Sequence, residues 1–148
     1  MMTQINPIDT LIVEDNPHDA ELILRILRKR KLVDQYYVAE DGEEALDFIF
    51  CKGRFEKRNP FIPLKVIFLD LKLPKVSGLE VLKELKSNRL TKKVPVVIIT
   101  SSKEENDIKT AFELGANSYV VKPVEFDLFL EAITNTAFYW LMLNEQPK

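Results

Sequence analysis

The chain has 148 residues, 46% of them hydrophobic and 30% charged, with a net charge of −2 and a single cysteine, Cys51. That size and balance fit one globular domain with a real core, and they exclude a globally basic nucleic-acid binder and an internally disulfide-bonded fold. No apolar stretch approaches the roughly 18 residues of a membrane span, and the N-terminus lacks the charged and apolar regions of a signal peptide, so a cytoplasmic protein with no membrane association is expected.

Strand and helix patterns alternate from end to end. Thr10 to Val13 is a short apolar run and reads as a buried strand. Asn16 followed by Pro17 is a helix start, a capping side chain before proline at the first helical position. The helix it opens runs to about Lys29, with Ala20, Ile23, Leu24 and Leu27 on one face. The basic cluster Arg25 to Lys31 that ends it suits the helix dipole and solubility; a phosphate-binding patch is the sharper alternative. A second strand spans about Tyr36 to Ala39, and Asp41-Gly42 turns into a helix whose stripe is Ala45, Leu46, Ile49 and Phe50. Gly53 to Pro63 is polar, carries two prolines and reads as a loop. Val66 to Leu69 is a third strand, and a helix follows from about Gly78 to Ser87 with Leu79, Leu82 and Leu85 inward. Pro95 opens a fourth strand, Val96 to Ile99, and a helix spans about Glu105 to Leu114 with Gly115 as C-cap candidate. Ser118 to Val121 is the fifth strand, and the last helix runs from about Glu125 to Leu143. Five strands alternating with five helices predict an α/β fold, a parallel sheet covered on both faces, as a single domain over 1–148 with no output domain.

The residues at the strand ends carry the chemistry. Glu14 and Asp15 follow the first strand, Asp70 the third, Thr100 the fourth and Lys122 the fifth. Parallel strands share a direction, so these ends converge on the rim where open α/β sheets hold ligands. Carboxylates about 4 Å apart repel by roughly 4 kcal/mol at an effective dielectric near 20. Either their pKa values rise or a cation sits among them. An oxygen-only set without a His or Cys cluster favours Mg²⁺ or Ca²⁺ over zinc; the lone His18 reads as a solvated surface residue. Asp70 is placed as a nucleophile toward phosphorus, Lys122 as a point charge for a phosphoryl oxygen and Thr100 as a hydroxyl donor. Each residue alone has a bland reading as cap, turn or strand former. The joint pattern is far narrower.

The runs LIVEDNP, VIFLDLKLPKVSGLEVLKELK, VPVVIITSS and GANSYVVKPV resemble the signatures of the receiver domain of two-component response regulators, over nearly the whole chain. The resemblance implies a flavodoxin-like doubly wound sheet in the order 2-1-3-4-5. It implies that Asp70 accepts a phosphoryl group in line from a phosphohistidine on a histidine kinase or phosphotransfer protein. Glu14, Asp15, Asp70 and the backbone carbonyl of Lys72 are then the Mg²⁺ ligands, Thr100 and Tyr119 the switch pair, and Pro123 the proline joined to Lys122 by a cis bond. Lys72 and Ser102 flank the path of the hydrolytic water and tune phosphoryl lifetime; Lys72 could also pair with Glu14. The long Gly53 to Pro63 insert, the LDLKLPKVSG run and the tail FYWLMLNEQP resemble more narrowly the small stand-alone regulators associated with phytochrome-type histidine kinases. Glu14 departs from the commoner Asp and is one methylene longer.

Six consecutive apolar residues, Phe138 to Leu143, cannot all face one core. They imply either a helix with a wide core stripe or a partner surface, such as a homodimer through helix 4, strand 5 and helix 5. Competing readings are a phosphatase of the haloacid dehalogenase type, a flavodoxin-like binding module, a relay intermediate and a receiver-shaped scaffold that is never phosphorylated. The first lacks its second Asp, because Lys72 stands two residues after Asp70. The second lacks a phosphate-cradling loop after the first strand.

Overall fold

The computed structural model describes residues 8–33, 35–122 and 125–145. Its elements are β1 (Thr10–Val13), α1 (Pro17–Lys29), β2 (Tyr36–Ala39), α2 (Gly42–Ile49), β3 (Val66–Leu69), α3 (Gly78–Lys86), β4 (Val96–Thr100), α4 (Glu105–Glu113), β5 (Ser118–Val121) and α5 (Phe126–Phe138). All strand pairs are parallel and the order is β2-β1-β3-β4-β5, as expected from the sequence.

Alternation along each strand builds two cores. Leu11, Val13, Ile67, Leu69, Val96 and Ile98 face α2, α3 and α4. Ile12, Val66, Phe68, Val97 and Ile99 face α1 and α5. Successive side chains point to opposite faces of a pleated strand. The central strands β1, β3 and β4 are therefore buried on both sides, which is why they are continuously apolar. The edge strands β2 and β5 are mostly half-buried.

Helix starts follow their local sequence. Asn16, Asp41 and Ser77 each accept a backbone N–H at the first turn of α1, α2 and α3. Two glycines at these starts let the chain close over the loop that follows Asp70. A Cβ on Gly78 would lie 2.1 Å from the carbonyl oxygen of Asp70, and one on Gly42 would lie 1.9 Å from that of Val76. The loop after β3 is thus clamped by the N-termini of α2 and α3.

Three expectations are corrected. The segment after α2 is not all loop: Gly53–Phe55 forms a 3₁₀ turn. Phe55 packs edge-on against Tyr37 and Phe48, which stack on each other at 4.7 Å, and the Arg58 guanidinium lies over the Phe48 ring. Those contacts draw Phe48 into the core, so the inward residues of α2 are Ala45, Phe48 and Ile49, while Leu46 and Phe50 are half-buried. On α3 the fully buried positions are Val81, Leu82 and Leu85, with Leu79 half-buried. The last helix ends as a regular α-helix at Phe138 and continues as a π turn over Tyr139–Leu143. There the Trp140 indole N–H donates to Ser118 Oγ at 3.0 Å, pinning the turn to β5. Trp140 and Leu141 pack against the α1/α5 core, while Phe138, Tyr139, Met142 and Leu143 stay exposed.

Gly78→Ala should cost about 1–3 kcal/mol through overpacking against the β3–α3 backbone. Thermal unfolding should show a melting temperature lowered by several degrees; an unchanged value would refute the clamp.

Candidate functional site

The C-terminal ends of β1, β3 and β5 meet at Lys122. Its ammonium donates to Glu14 Oε1 at 2.5 Å, Asp19 Oδ2 at 2.9 Å and Asp70 Oδ2 at 3.0 Å. Glu14 and Asp70 are buried, Asp15 is exposed and Asp19 is half-buried. Carboxylate oxygens of Glu14, Asp15 and Asp70 all lie within 4.8 Å of one another.

Charge in this cleft is unbalanced, with four carboxyl groups facing one ammonium. Burial pushes the Glu14 carboxyl up to about 7; the Lys122 hydrogen bond pulls it down but does not win, and the Asp70 charge adds to the rise. Burial also opposes the charged form of Lys122, but hydrogen bonds to Glu14, Asp19 and Asp70 outweigh it and hold the ammonium above the ordinary lysine range. The oxygen-only donor set and a buried carboxyl driven toward its protonated form both fit a hard divalent cation.

The loop after Asp70 is held by the Asp70 side chain itself. The Lys72 amide donates to Asp70 Oδ1 at 3.2 Å, and among the described residues nothing donates to the Lys72 carbonyl. The Lys72 side chain is exposed and makes no ion pair among the described residues, so the expected pairing with Glu14 is not formed; Lys122 occupies that partner.

Thr100 ends β4, fully buried, and no hydrogen bond joins it to Asp70; its Oγ1 accepts from the Ser102 amide at 3.4 Å. Ser102 is also buried. Its hydroxyl donates to Asp107 Oδ2 at 2.5 Å and accepts from the Glu104 amide, which ties the β4–α4 loop to α4. The Tyr119 hydroxyl donates to the Ser102 carbonyl at 3.0 Å, and its ring lies 6.4 Å from that of Phe112. Thr100, Ser102 and Tyr119 therefore form one connected line from the cleft to the α4–β5 surface. Pro123 lies outside the described residues. His18 is exposed; its amide donates to the Asn16 cap.

Asp19 was not foreseen. On sequence it is an acidic residue in a first helical turn, which the helix dipole explains by itself. Its place one turn after Asn16 puts it over the rim, and only the approach of β5 reveals its partner.

Strand-end carboxylates and a lysine paired with them meet at one rim, and the response regulator receiver domain model matches residues 10–134. The chain belongs to that family. It is 34% identical over 131 residues to response regulator Rcp1 of Synechocystis sp. (strain ATCC 27184 / PCC 6803 / Kazusa), covering 88% of this chain and 87% of that protein. The Mn²⁺-bound crystal structure of Rcp1 superposes with a TM-score of 0.88 at 31% identity, covering 96% of this chain and all of that one. The phosphorylated cyanobacterial phytochrome response regulator RcpA gives 0.88 at 29%, covering 97% of this chain and all of that one. The bacteriophytochrome response regulator AtBRR gives 0.73 at 47%, covering 95% of this chain and all of that one. No helix among the described residues of this receiver is long and apolar enough to cross a membrane.

The Glu14 proton predicts a pH dependence in chelator. The unfolded chain loses it near 4.5 and the folded chain holds it to about 7. The folded state binds more protons in that window, so stability falls as pH rises through it, by at most about 3 kcal/mol. Lys122, whose pKa is also raised, has the same sign but acts in a separate window: its contribution is complete below 10.5 and lost only in stronger base. Melting curves across the window should decline for the wild type and stay flat for Glu14→Gln.

Proposed function

We propose that this receiver is a stand-alone, cytoplasmic phospho-accepting switch with Asp70 as the acceptor. The observation that carries the reading is the Lys122 ammonium set between the acceptor Asp70 and the buried Glu14. The phosphoryl donor is a phosphohistidine on a partner histidine kinase or phosphotransfer protein. Similarity to Rcp1, RcpA and AtBRR supports a phytochrome-type kinase as that partner.

An Asp70 carboxylate oxygen attacks phosphorus in line; the O–P bond forms as the P–N bond to the donor imidazole breaks. Glu14, Asp15, Asp70 and the Lys72 carbonyl are the residues that would hold Mg²⁺. When bound, that ion offsets the negative charge shared by the acceptor and the phosphoryl oxygens. The Mn²⁺-bound form of Rcp1 supports a divalent ion at such a site. Lys122 supplies a fixed positive charge from the protein itself.

Phosphorylation adds roughly one negative charge at Asp70. The new oxygens compete for the Thr100 hydroxyl, which among the described residues meets the Ser102 amide. Moving Thr100 toward Asp70 strains the turn at Ser102, which Tyr119 and Asp107 both hold, so the charge at Asp70 is read out on the α4–β5–α5 surface. Phe112, Phe126, Leu128 and Phe138 are exposed on the elements of that surface, and Tyr139, Met142 and Leu143 are exposed beyond it. A homodimer through α4, β5 and α5 would cover the first set. Because the Ser102 hydroxyl is already held by Asp107, Lys72 is the flanking residue free to tune phosphoryl lifetime.

Incubation with acetyl phosphate and Mg²⁺ should add the mass of one phosphoryl group, and Asp70→Asn should abolish the gain; a variant that still gains it sinks the assignment. Sedimentation should show self-association that strengthens with beryllofluoride, a phosphoryl mimic. A monomer at all concentrations would remove the dimer from the reading.

A further inference from the structure

We propose that Asp19 is a positioning residue of the phosphoryl site, holding one N–H of Lys122 and yielding it to a phosphoryl oxygen. The inference rests on Asp70 being the acceptor, as argued above.

A lysine ammonium has three donors and no more. All three are used here, on Glu14 Oε1, Asp19 Oδ2 and Asp70 Oδ2. A phosphoryl oxygen can gain a Lys122 donor only if one of these partners lets go.

The three differ in what release costs. The side chain of Glu14 is 2% exposed, so water cannot take the ammonium's place there, and Asp70, 8% exposed, is the acceptor beside which the new oxygens must bind. That of Asp19 is 33% exposed, so water can take the ammonium's place. Asp19 also sits in the first turn of α1, where the free backbone N–H groups favour its negative charge after release. Asp19 is therefore the exchangeable partner. It reaches Lys122 from a helix, whereas Glu14 and Asp70 follow strand ends on the cleft floor. It holds the ammonium over the cleft in the resting state and sets how readily Lys122 turns to a new anion.

Weakening this one contact should free Lys122. Asp19→Asn keeps the size of the side chain and replaces a charge-assisted hydrogen bond by a neutral one. In the presence of Mg²⁺ the half-saturating concentration of beryllofluoride should fall about three- to tenfold, the range for losing such an assisted bond. Asp19→Glu keeps the carboxylate and should return the affinity to near the wild-type value. Glu21→Gln removes a charge from the exposed side of α1, where Glu21 pairs with Arg28, and should leave the affinity unchanged. A merely structural Asp19 would lower the melting temperature of Asp19→Asn without tightening the mimic.

Unchanged or weaker binding by Asp19→Asn overturns the inference. So does an equal gain from Glu21→Gln, which would reduce the effect to overall charge. If the wild type neither binds beryllofluoride nor gains a phosphoryl group on Asp70, the acceptor reading itself fails, and this inference with it.

Discussion

One ammonium held by three carboxylates organises the functional end of this receiver. Lys122 follows β5, an edge strand, while Glu14 and Asp70 follow β1 and β3 in the sheet interior. Their contact closes the rim across β4, and the backbone repeats the link, since the Lys122 amide donates to the Thr100 carbonyl at 2.7 Å. Two of the carboxylates are buried, so removing the lysine would strand uncompensated charge. Even with it in place burial drives Glu14 toward its protonated form. An oxygen-only site in this condition suits a hard divalent cation and is sensitive to added negative charge.

The rest of the fold holds that charge in place. Central strands buried on both faces fix the strand ends, and Gly42 and Gly78 bring two helix starts onto the loop that carries Asp70. On the other side, Tyr119, Ser102 and Asp107 bind the β4–α4 loop to the edge of the sheet. One side of the cleft is rigid by packing. The other hangs on a few hydrogen bonds, and a two-state response belongs on the second side.

Away from the cleft, a half-buried lysine fastens the opposite end of the sheet. Lys86 donates to the carbonyls of Lys92 and Val94 and to Asn117 Oδ1, and burial lowers it to about 8. It replaces three separate turn contacts with one group and keeps α3 in register with β4 and the start of β5. Its role is structural, in contrast to Lys122, whose partners are all anionic.

The order of elements, the parallel sheet and the convergence of Glu14, Asp15, Asp70 and Lys122 were legible in the sequence. Each follows from local patterns: apolar runs of strand length, caps at helix starts and polar residues at run ends. Phe48, the 3₁₀ turn at Gly53–Phe55, the π turn at Tyr139–Leu143 and the Asp19–Lys122 bond were not. Each depends on a contact between segments far apart in the chain: Tyr37 with Phe55, Ser118 with Trp140, α1 with the end of β5. Periodicity records which face of an element is apolar, but not which distant side chain will meet it. The fold and the polar groups at its rim follow from local sequence, because burial and chain direction are encoded there. Only the tertiary structure decided how Lys122 divides its three donors, because that follows from the distances at which separate strands and a helix come to rest.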